Sequence, residues 1–600
     1  MTLCRSMAIM VVAASVAFSQ QVSPRYTLAM PEPWTHLFHV EVLFDGLAPS
    51  ETSLELIMPV WRTGRYVLFD FAGSVQEFSA VDGKGNTLAW EKSDKSTWNI
   101  TSGGTSTVRV TYKVYADEFD MRTKGLNDRY GFVDGTAVFM YAEQYRRRPL
   151  TLEVKPYGSW HVTTGLDALG NDVNHFTATD YDHLVDCPLF IGNQRDHAFT
   201  AGGKAHVLSV LGEGPYDPQE LTEDLSAIVE ASKEFWGSLP YERYVFMLHL
   251  WSGGGGGTEH INSTIIQMGT FSLSTPRGRE GFRSVAAHEF FHTWNVKQIR
   301  PHGISPYDYR HENYAREYWI AEGTTSYYTP VILRRAGLRS AGRTLGRLAR
   351  VIKQDRDRPG HRVQSLSESS FDAWIKFWRE HPQSYNSETS YYEKGSTVSL
   401  LLDLTIRHHS KNRSSLDDVM RMLLTKFPPD GQGYTVEDFR KLCEERSGIN
   451  LETFFKDYVD GTQPLPWETV LAYAGLEVSV EKAEPTPWLG VMTRESDGSS
   501  VVTGVIAGSP AYNGGVNVND ELLALDNYRV HGGDLPGRIA QKSVGDTARI
   551  TVFRDDMLRE FRIRLGSHPV PDYTVTVMKD ASALQKEIYE QWLGEEPETE

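Results

Sequence analysis

Cysteine is almost absent from this sequence, with three residues in 600. Cys4 precedes the first apolar stretch, and Cys187 and Cys443 lie far apart in the rest of the chain. No disulfide framework can be read from such a spacing, so the redox state of these two thiols stays open.

Positive charge is also in deficit. The sequence has 61 Lys and Arg residues and 78 Asp and Glu residues, which gives a formal net charge of −17. Nucleic-acid binding needs a basic face, and no basic run occurs here. We therefore expect no nucleic-acid partner, and the same charge disfavours adhesion to anionic membranes.

Long hydrophobic runs are missing from the chain after its first twenty residues. No later stretch approaches the ~18 apolar residues of a membrane span. The start of the chain combines Arg5, an apolar stretch over residues 7–18 and small residues at Ala17 and Ser19. This pattern predicts a signal peptide over residues 1–19, and hence an exported protein, periplasmic or secreted. A buried helix or a membrane anchor is the alternative, but the apolar run is short for a bilayer. We expect no transmembrane span in the mature chain.

The remaining composition, with 40% hydrophobic and 23% charged residues, is that of a globular protein. A chain of 600 residues predicts three to five domains, because one hydrophobic core does not grow to this size. Alternating strand patterns fill the first third, helical periodicity follows, and short strands return after a polar, proline-bearing segment. The predicted segments are a β-rich N-terminal domain (20–205), a second domain (206–375), a helical domain (376–480), a linker (481–487), a further domain (488–567) and a polar, peripheral tail (568–600).

The strongest motif is His288-Glu289-Phe290-Phe291-His292. Two imidazoles at i and i+4 leave one face of a helix and can bind the same metal ion. Glu289 follows the first ligand and is placed to act as the general base in a zinc-dependent hydrolysis. Such a short pattern occurs by chance in roughly one long sequence in ten, so a catalytic zinc site also needs a third protein ligand.

Glu322 is the candidate for that ligand. It lies thirty residues after His292 in Trp319-Ile320-Ala321-Glu322-Gly323, where the preceding bulky apolar residues indicate a turn close to a core.

A run of five glycines, from Gly253 to Gly257, precedes Thr258 and Glu259. No Lys-Ser/Thr follows the run, so a phosphate loop is not indicated. The alternatives are a flexible surface loop, or an edge strand where missing side chains let a substrate backbone approach closely.

Together these segments resemble family M61, the glycyl aminopeptidases related to the gluzincin (M1-type) aminopeptidases. The resemblance implies that Glu322 is the third zinc ligand, with one Zn²⁺ per chain. It also implies that Tyr392, directly before Glu393-Lys394-Gly395, donates a hydrogen bond to the oxyanion of the transition state. The adjacent Tyr391 is the second candidate for that role.

The Gly256-Gly257-Thr258-Glu259 segment resembles the Gly-Gly-x-Glu-Asn element of M1 aminopeptidases. By that resemblance, Glu259 binds the free α-amino group of the substrate, beside Gly256 and Gly257. His260 stands where the M1 element has Asn, which leaves its role open.

Residues 488–567 resemble a PDZ domain. Leu489, Gly490 and Val491 fit the loop whose backbone amides bind a peptide carboxylate, so a C-terminal peptide ligand is a possible partner.

The sequence thus predicts a multidomain α+β protein with a β-rich N-terminal domain, a thermolysin-like catalytic domain, a helical domain and a PDZ domain. The predicted activity is a zinc aminopeptidase that removes small N-terminal residues, Gly or Ala, from peptides with a free N-terminus. The alternatives are a zinc endopeptidase with a PDZ tether, and a non-catalytic peptide-binding scaffold.

Overall fold

The fold is described from a computed structural model, which covers residues 22–480, 485–496, 498–531 and 533–596. The predicted signal peptide and residues 481–484 of the predicted linker lie outside the described residues. Within the described ranges, no helix is long and apolar enough to cross a bilayer.

The N-terminal domain consists of antiparallel and mixed sheets. A seven-stranded sheet has the order β13-β14-β11-β1-β2-β7-β4, and sheets of five and three strands pack beside it. Strict alternation of buried and exposed residues along β2 and β7 explains why these segments form half-buried strands. The elements are β1 (Arg25–Ala29), β2 (Leu37–Asp45), β3 (Ser53–Ile57), β4 (Val75–Asp82), β5 (Trp90–Lys92), β6 (Thr97–Thr101), β7 (Thr107–Tyr115), β8 (Asp117–Glu118), β9 (Lys124–Leu126), β10 (Tyr130–Val133), β11 (Leu150–Lys155), β12 (His161–Thr164), β13 (Asp167–Leu169), β14 (Asp172–Ala178), α1 (Tyr181–Val185) and β15 (Leu189–Gly192).

The catalytic domain begins earlier than predicted. The next two strands belong to its sheet, so the predicted boundary at residue 205 is corrected to about residue 193. This sheet has the order β16-β17-β18-β20-β19, with parallel pairs in the centre and the short β19 as an antiparallel edge. Its elements are β16 (Arg195–Ala201), β17 (Lys204–Gly212), α2 (Pro218–Trp236), β18 (Arg243–Leu250), β19 (Gly256–Glu259), β20 (Ser263–Met268), α3 (Pro276–Phe291) and α4 (Thr324–Arg335).

The helix α3 carries the metal-binding motif. The Thr275 side chain caps it by accepting from the backbone N–H of Gly278, and Pro276 occupies its first turn. The sequence pattern predicts a helix through Val296, but α3 ends at Phe291. Directly after the helix, the Nδ1 atom of His292 lies 2.6 Å from the backbone carbonyl of Asn295.

Helices dominate from residue 341 to 472. Most of α8 is buried, and one continuous hydrophobic core joins it to the N-terminal and catalytic domains. The helices are α5 (Ala341–Asp357), α6 (Leu366–Phe371), α7 (Ser384–Ser387), α8 (Glu393–His409), α9 (Leu416–Lys426), α10 (Val436–Ser447), α11 (Glu452–Tyr458) and α12 (Trp467–Ala472).

The PDZ domain is inserted into the rest of the molecule. It has a separate hydrophobic core, and a two-stranded ribbon, β21 paired with β30, connects it to the helical domain. The remaining elements are β21 (Leu476–Val480), β22 (Pro487–Trp488), β23 (Val491–Ser496), β24 (Ser499–Val505), α13 (Pro510–Gly514), β25 (Glu521–Leu525), β26 (Tyr528–Arg529), α14 (Asp534–Ala540), β27 (Thr547–Arg554), β28 (Met557–Arg564), β29 (Gly566–Ser567), β30 (Tyr573–Val577) and α15 (Ala583–Leu593).

The expected peripheral tail is corrected by α15. Ile588, Tyr589, Trp592 and Leu593 are buried in the core shared by the other three domains. Their spacing places them on one face of the helix, while the polar residues between them face solvent. A polar average therefore concealed an amphipathic helix.

We predict that Trp592→Ala lowers the free energy of unfolding by about 3–5 kcal/mol, because it removes a large buried side chain. Lys586→Ala, an exposed position of the same helix, is the matched control and is expected to change stability by less than about 0.5 kcal/mol. Denaturant unfolding of both variants tests the packing of α15. Equal, small effects would show that the end of the chain is peripheral after all.

Candidate active site

His288, in the last turn of α3, and His292, directly after the helix, face each other with their Nε2 atoms 3.2 Å apart. Each Nδ1 atom has another partner, the Thr329 hydroxyl at 3.2 Å for His288 and the Asn295 carbonyl at 2.6 Å for His292. Such partners fix the rings and leave both Nε2 atoms available as metal ligands.

Glu322 completes a three-ligand set. Its Oε2 atom is 3.1 Å from Nε2 of His292 and 3.7 Å from Nε2 of His288. Tetrahedral zinc with bonds of about 2.0–2.1 Å separates its ligand atoms by roughly 3.3 Å, so these residues fit a zinc ion with a fourth position open. The ligand set predicted from the sequence is therefore assembled in the structure.

A π-helical turn, Trp319–Gly323, presents Glu322 just before α4. The side-chain amide of Asn295 donates to the carbonyls of Ile320 and Ala321 and so ties this turn to the end of α3. Such turns recur at functional sites because the wider helix re-aims one side chain.

Two glycines let the turn approach α8. A Cβ atom on Gly323 would lie 2.6 Å from the Cα of Gly395, and one on Gly395 would lie 3.0 Å from the Cα of Gly323. Contacts this short with backbone atoms exclude any side chain. The Glu-Gly and Glu-Lys-Gly motifs are thus the two halves of one packing contact.

Glu289 lies beneath the edge strand β19. A Cβ atom on Gly257 would come within 2.6 Å of Oε1 of Glu289, so only glycine allows the strand to cross the carboxylate. Burial raises the pKa of Glu289 to about 7. A carboxyl group with such a pKa can both accept and return a proton near neutral pH.

Glu259, the last residue of β19, is buried, and its Oε1 atom has no hydrogen-bond partner among the described residues. Gly64 of the N-terminal domain closes over it, since a Cβ there would lie 2.5 Å from Oε2. One carboxylate oxygen of Glu259, one carboxylate oxygen of Glu289 and one ring nitrogen of His292 lie within 4.8 Å of one another. The other oxygen of Glu259, Oε2, has one long contact with the Thr258 hydroxyl, at 3.5 Å. A buried carboxylate oxygen without a partner is costly, so Oε1 favours a cationic ligand.

Tyr392, directly before α8, lies beside the histidines, with its ring 6.5 Å from the ring of His288. The neighbouring Tyr391 is fully buried, and its hydroxyl accepts from the indole N–H of Trp378 at 3.0 Å. Tyr392 is therefore better placed than Tyr391 to donate to a substrate oxygen.

A buried charged network that the sequence did not reveal supports β19. His260, left without a role by the sequence, contacts Asp186 at 3.2 Å, and Lys297 lies 2.7 Å from the same carboxylate oxygen. Burial alone raises the pKa of Asp186, but Lys297 and His260 outweigh it and hold this pKa below its usual range. Arg62 links the network to β19 through the Thr258 hydroxyl, at 2.7 Å.

No local sequence pattern indicates this network, because each of its contacts joins residues more than seventy positions apart in sequence.

The residues of the candidate site line a cavity of ≈ 520 Å³, the metal-site cavity. The site residues in its wall are Gly256, Gly257, Glu259, His288, Glu289, His292, Glu322 and Tyr392. Gly64, Arg122 and Arg347 also line it, and the sequence did not single these out.

The predicted carboxylate loop of the PDZ domain lies elsewhere. Leu489 is buried, Gly490 adopts a positive φ of 81°, and Val491 opens β23. Within the described residues β23 pairs with β24 alone, so it is an edge strand. This is the arrangement that strand addition by a peptide requires.

We predict that Gly323→Ala weakens metal binding by about 10- to 100-fold, the usual cost of disturbing the residues behind a metal ligand. Its Cβ would strike Gly395 and displace Glu322. Gly342→Ala is the control, because a Cβ there meets nothing within 4 Å and the helix α5 accommodates alanine. Zinc titration against a competing chelator measures both. Unchanged affinity in Gly323→Ala would mean that this contact does not position Glu322.

Comparison with known proteins agrees with this architecture. The model of the peptidase M61 N-terminal domain matches residues 25–193, that of the M61 glycyl aminopeptidase matches residues 281–398, and a PDZ model matches residues 487–565. No curated protein sequence gives a significant match.

Among solved structures, an aminopeptidase N family protein from Idiomarina loihiensis superposes with a TM-score of 0.88 at 26% identity, over 95% of this chain and all of that one. An M1 zinc metallopeptidase from Deinococcus radiodurans has a TM-score of 0.46 at 13% identity, over 74% of this chain and 95% of that one. The chain therefore combines both M61 peptidase domains with a C-terminal PDZ domain, which is the domain composition of a metallopeptidase.

Proposed function

We propose that this protein is a zinc-dependent aminopeptidase that removes the N-terminal residue from peptides, with one Zn²⁺ per chain. The observation that carries the proposal is the buried carboxylate of Glu259, whose Oε1 atom lacks a hydrogen-bond partner among the described residues. A substrate ammonium group is the complement of such a carboxylate.

The N-terminal domain supports action at the chain end. Gly64 lies against the Glu259 carboxylate, and Arg62 fixes the same loop through Asp134 at 2.7 Å. A peptide that continued beyond its first residue in this direction would meet this loop. The endopeptidase alternative is therefore disfavoured, and the intact Glu289 disfavours the scaffold alternative, because a structural site needs no base.

Zinc, held by His288, His292 and Glu322, would polarise the scissile carbonyl and lower the pKa of water. Glu259 accepts hydrogen bonds from the substrate ammonium and so sets the position of the bond to be cut. Glu289 removes a proton from the attacking water and returns it to the nitrogen of the leaving amine. The hydroxyl of Tyr392 donates to the carbonyl oxygen as negative charge develops there.

A preference for small first residues, Gly or Ala, is part of the proposal. It is supported by the glycyl aminopeptidase model that matches this region and by the bulky Phe377, Trp378 and Arg122 in the cavity wall. Export to the periplasm or medium and binding of a C-terminal peptide at Leu489, Gly490 and Val491 are proposed on the sequence patterns alone.

We predict that Glu289→Gln lowers kcat by about 10²- to 10⁴-fold, the usual contribution of a general base, while zinc content stays at the wild-type level. The amide keeps the size of the side chain but cannot accept the proton. Hydrolysis of alanine p-nitroanilide and metal analysis of the same sample give the two readouts. Turnover at the wild-type rate would remove Glu289 from the mechanism.

We predict that Glu259→Ala lowers kcat/KM for alanine p-nitroanilide by at least about 30-fold, since loss of one partner of a buried charge pair costs about 2 kcal/mol or more. N-acetylalanine p-nitroanilide is the matched substrate without the ammonium group. The wild type should cleave only the free amine. Cleavage of both substrates by the wild type would instead identify an endopeptidase.

A further inference from the structure

A second cavity adjoins the metal-site cavity. It has a volume of ≈ 510 Å³ and lies between α4, α5, α8 and α15. Both cavities share a boundary formed by Ser326, Pro330, Arg347 and Tyr392. A volume of this size is within the range, about 300–1,000 Å³, of sites that enclose small organic ligands.

The positions of the site residues indicate which part of the substrate would lie in the second cavity. Glu259 lines the metal-site cavity only, whereas Tyr392 lies on the boundary. If the ammonium group is at Glu259 and the scissile carbonyl is at Tyr392, the leaving part of the peptide extends toward the second cavity. This part ends in a carboxylate when the substrate is a short peptide.

The wall of the second cavity is rich in positive charge. Its acidic residues are Asp355, Asp357 and Glu393, and each already has a cationic or hydrogen-bonding partner. Its basic residues, excluding histidine, are Arg334, Arg339, Arg347, Lys353, Arg358 and Lys394.

Most of these basic groups are paired. Arg334 faces Glu595, Arg339 faces Glu280, Lys353 faces Asp572 and Arg358 faces Glu393. The ammonium group of Lys394 is buried and has only a long 3.5 Å contact with a backbone carbonyl, and burial lowers its pKa.

Arg347 differs from the paired residues. Within the described part of the chain, no carboxylate lies within 4.0 Å of its guanidinium group, and it faces both cavities. Burial lowers the pKa of the neighbouring Arg339, and the charge of Arg347 lowers it further, in opposition to Glu280. Arg347 is exposed, and its guanidinium group is free to attract an anion that enters either cavity.

We propose that Arg347 binds the C-terminal carboxylate of short peptide substrates, so that the enzyme recognises both ends of a small peptide. This inference rests on the proposed aminopeptidase activity. A planar guanidinium group is suited to the task because it can bind a carboxylate through two parallel hydrogen bonds.

The test compares peptides that differ only at the C-terminus. The probes are Ala-Gly, Ala-Gly-Gly, Ala-Gly-Gly-Gly and Ala-Gly-Gly-Gly-Gly, each as the free acid and as the C-terminal amide. We expect the wild type to have a kcat/KM about tenfold higher for the acid than for the amide at one or two of these lengths, as hydrogen bonds between ionised groups allow. In Arg347→Ala this ratio should fall to about one, and Arg347→Lys should restore part of it.

The ratio is taken within one protein sample, so a loss of folded or active enzyme cancels. Arg350→Ala, an exposed position of α5 that lines neither cavity, should keep the wild-type ratio. A wild-type ratio near one at every length would overturn the proposal. So would an undiminished preference for acids in Arg347→Ala. Alanine p-nitroanilide has no carboxylate, so its hydrolysis by the wild type shows separately whether the aminopeptidase proposal stands.

Discussion

The contact between Gly323 and Gly395 is the constraint on which the rest of the active site depends. It brings the turn that carries Glu322 against the start of α8, which carries Tyr392. The proposed third metal ligand and the proposed oxyanion donor thus come from two helical segments that touch through their backbones. Asn295 connects the same turn to the end of α3, so all three chemical elements share one rigid junction. Precise placement matters because a small displacement of a ligand or donor strongly reduces catalysis.

Local spacing explains what the sequence could predict. Two histidines four residues apart share one helix face whatever the surrounding fold, and Gly257 and Glu259, two residues apart in a short strand, share one face of that strand. The structure brings these residues together with Glu322 and Tyr392 in one cavity, as expected. The PDZ domain could also be predicted from the sequence, because its short strands and glycine turns occur in a fixed order.

Contacts between distant segments explain what the sequence could not predict. Gly64 closes over Glu259, almost two hundred residues further along the chain, and nothing near Gly64 announces that contact. The pairing of Asp186 with Lys297 is of the same kind. The domain boundary was misplaced because β16 and β17 have ordinary strand patterns, and only their pairing with β18 assigns them to the catalytic sheet.

The position of the PDZ domain has a consequence for how the molecule is made. Strands β21 and β30 flank it, and α15, which follows it, supplies Trp592 and Leu593 to the wall of the second cavity. Because a ribosome delivers domains in sequence order, the wall of the second cavity is complete only after the PDZ domain and α15 have been synthesised. A segment that lies outside both peptidase regions in sequence thus forms part of the cavity beside the metal site.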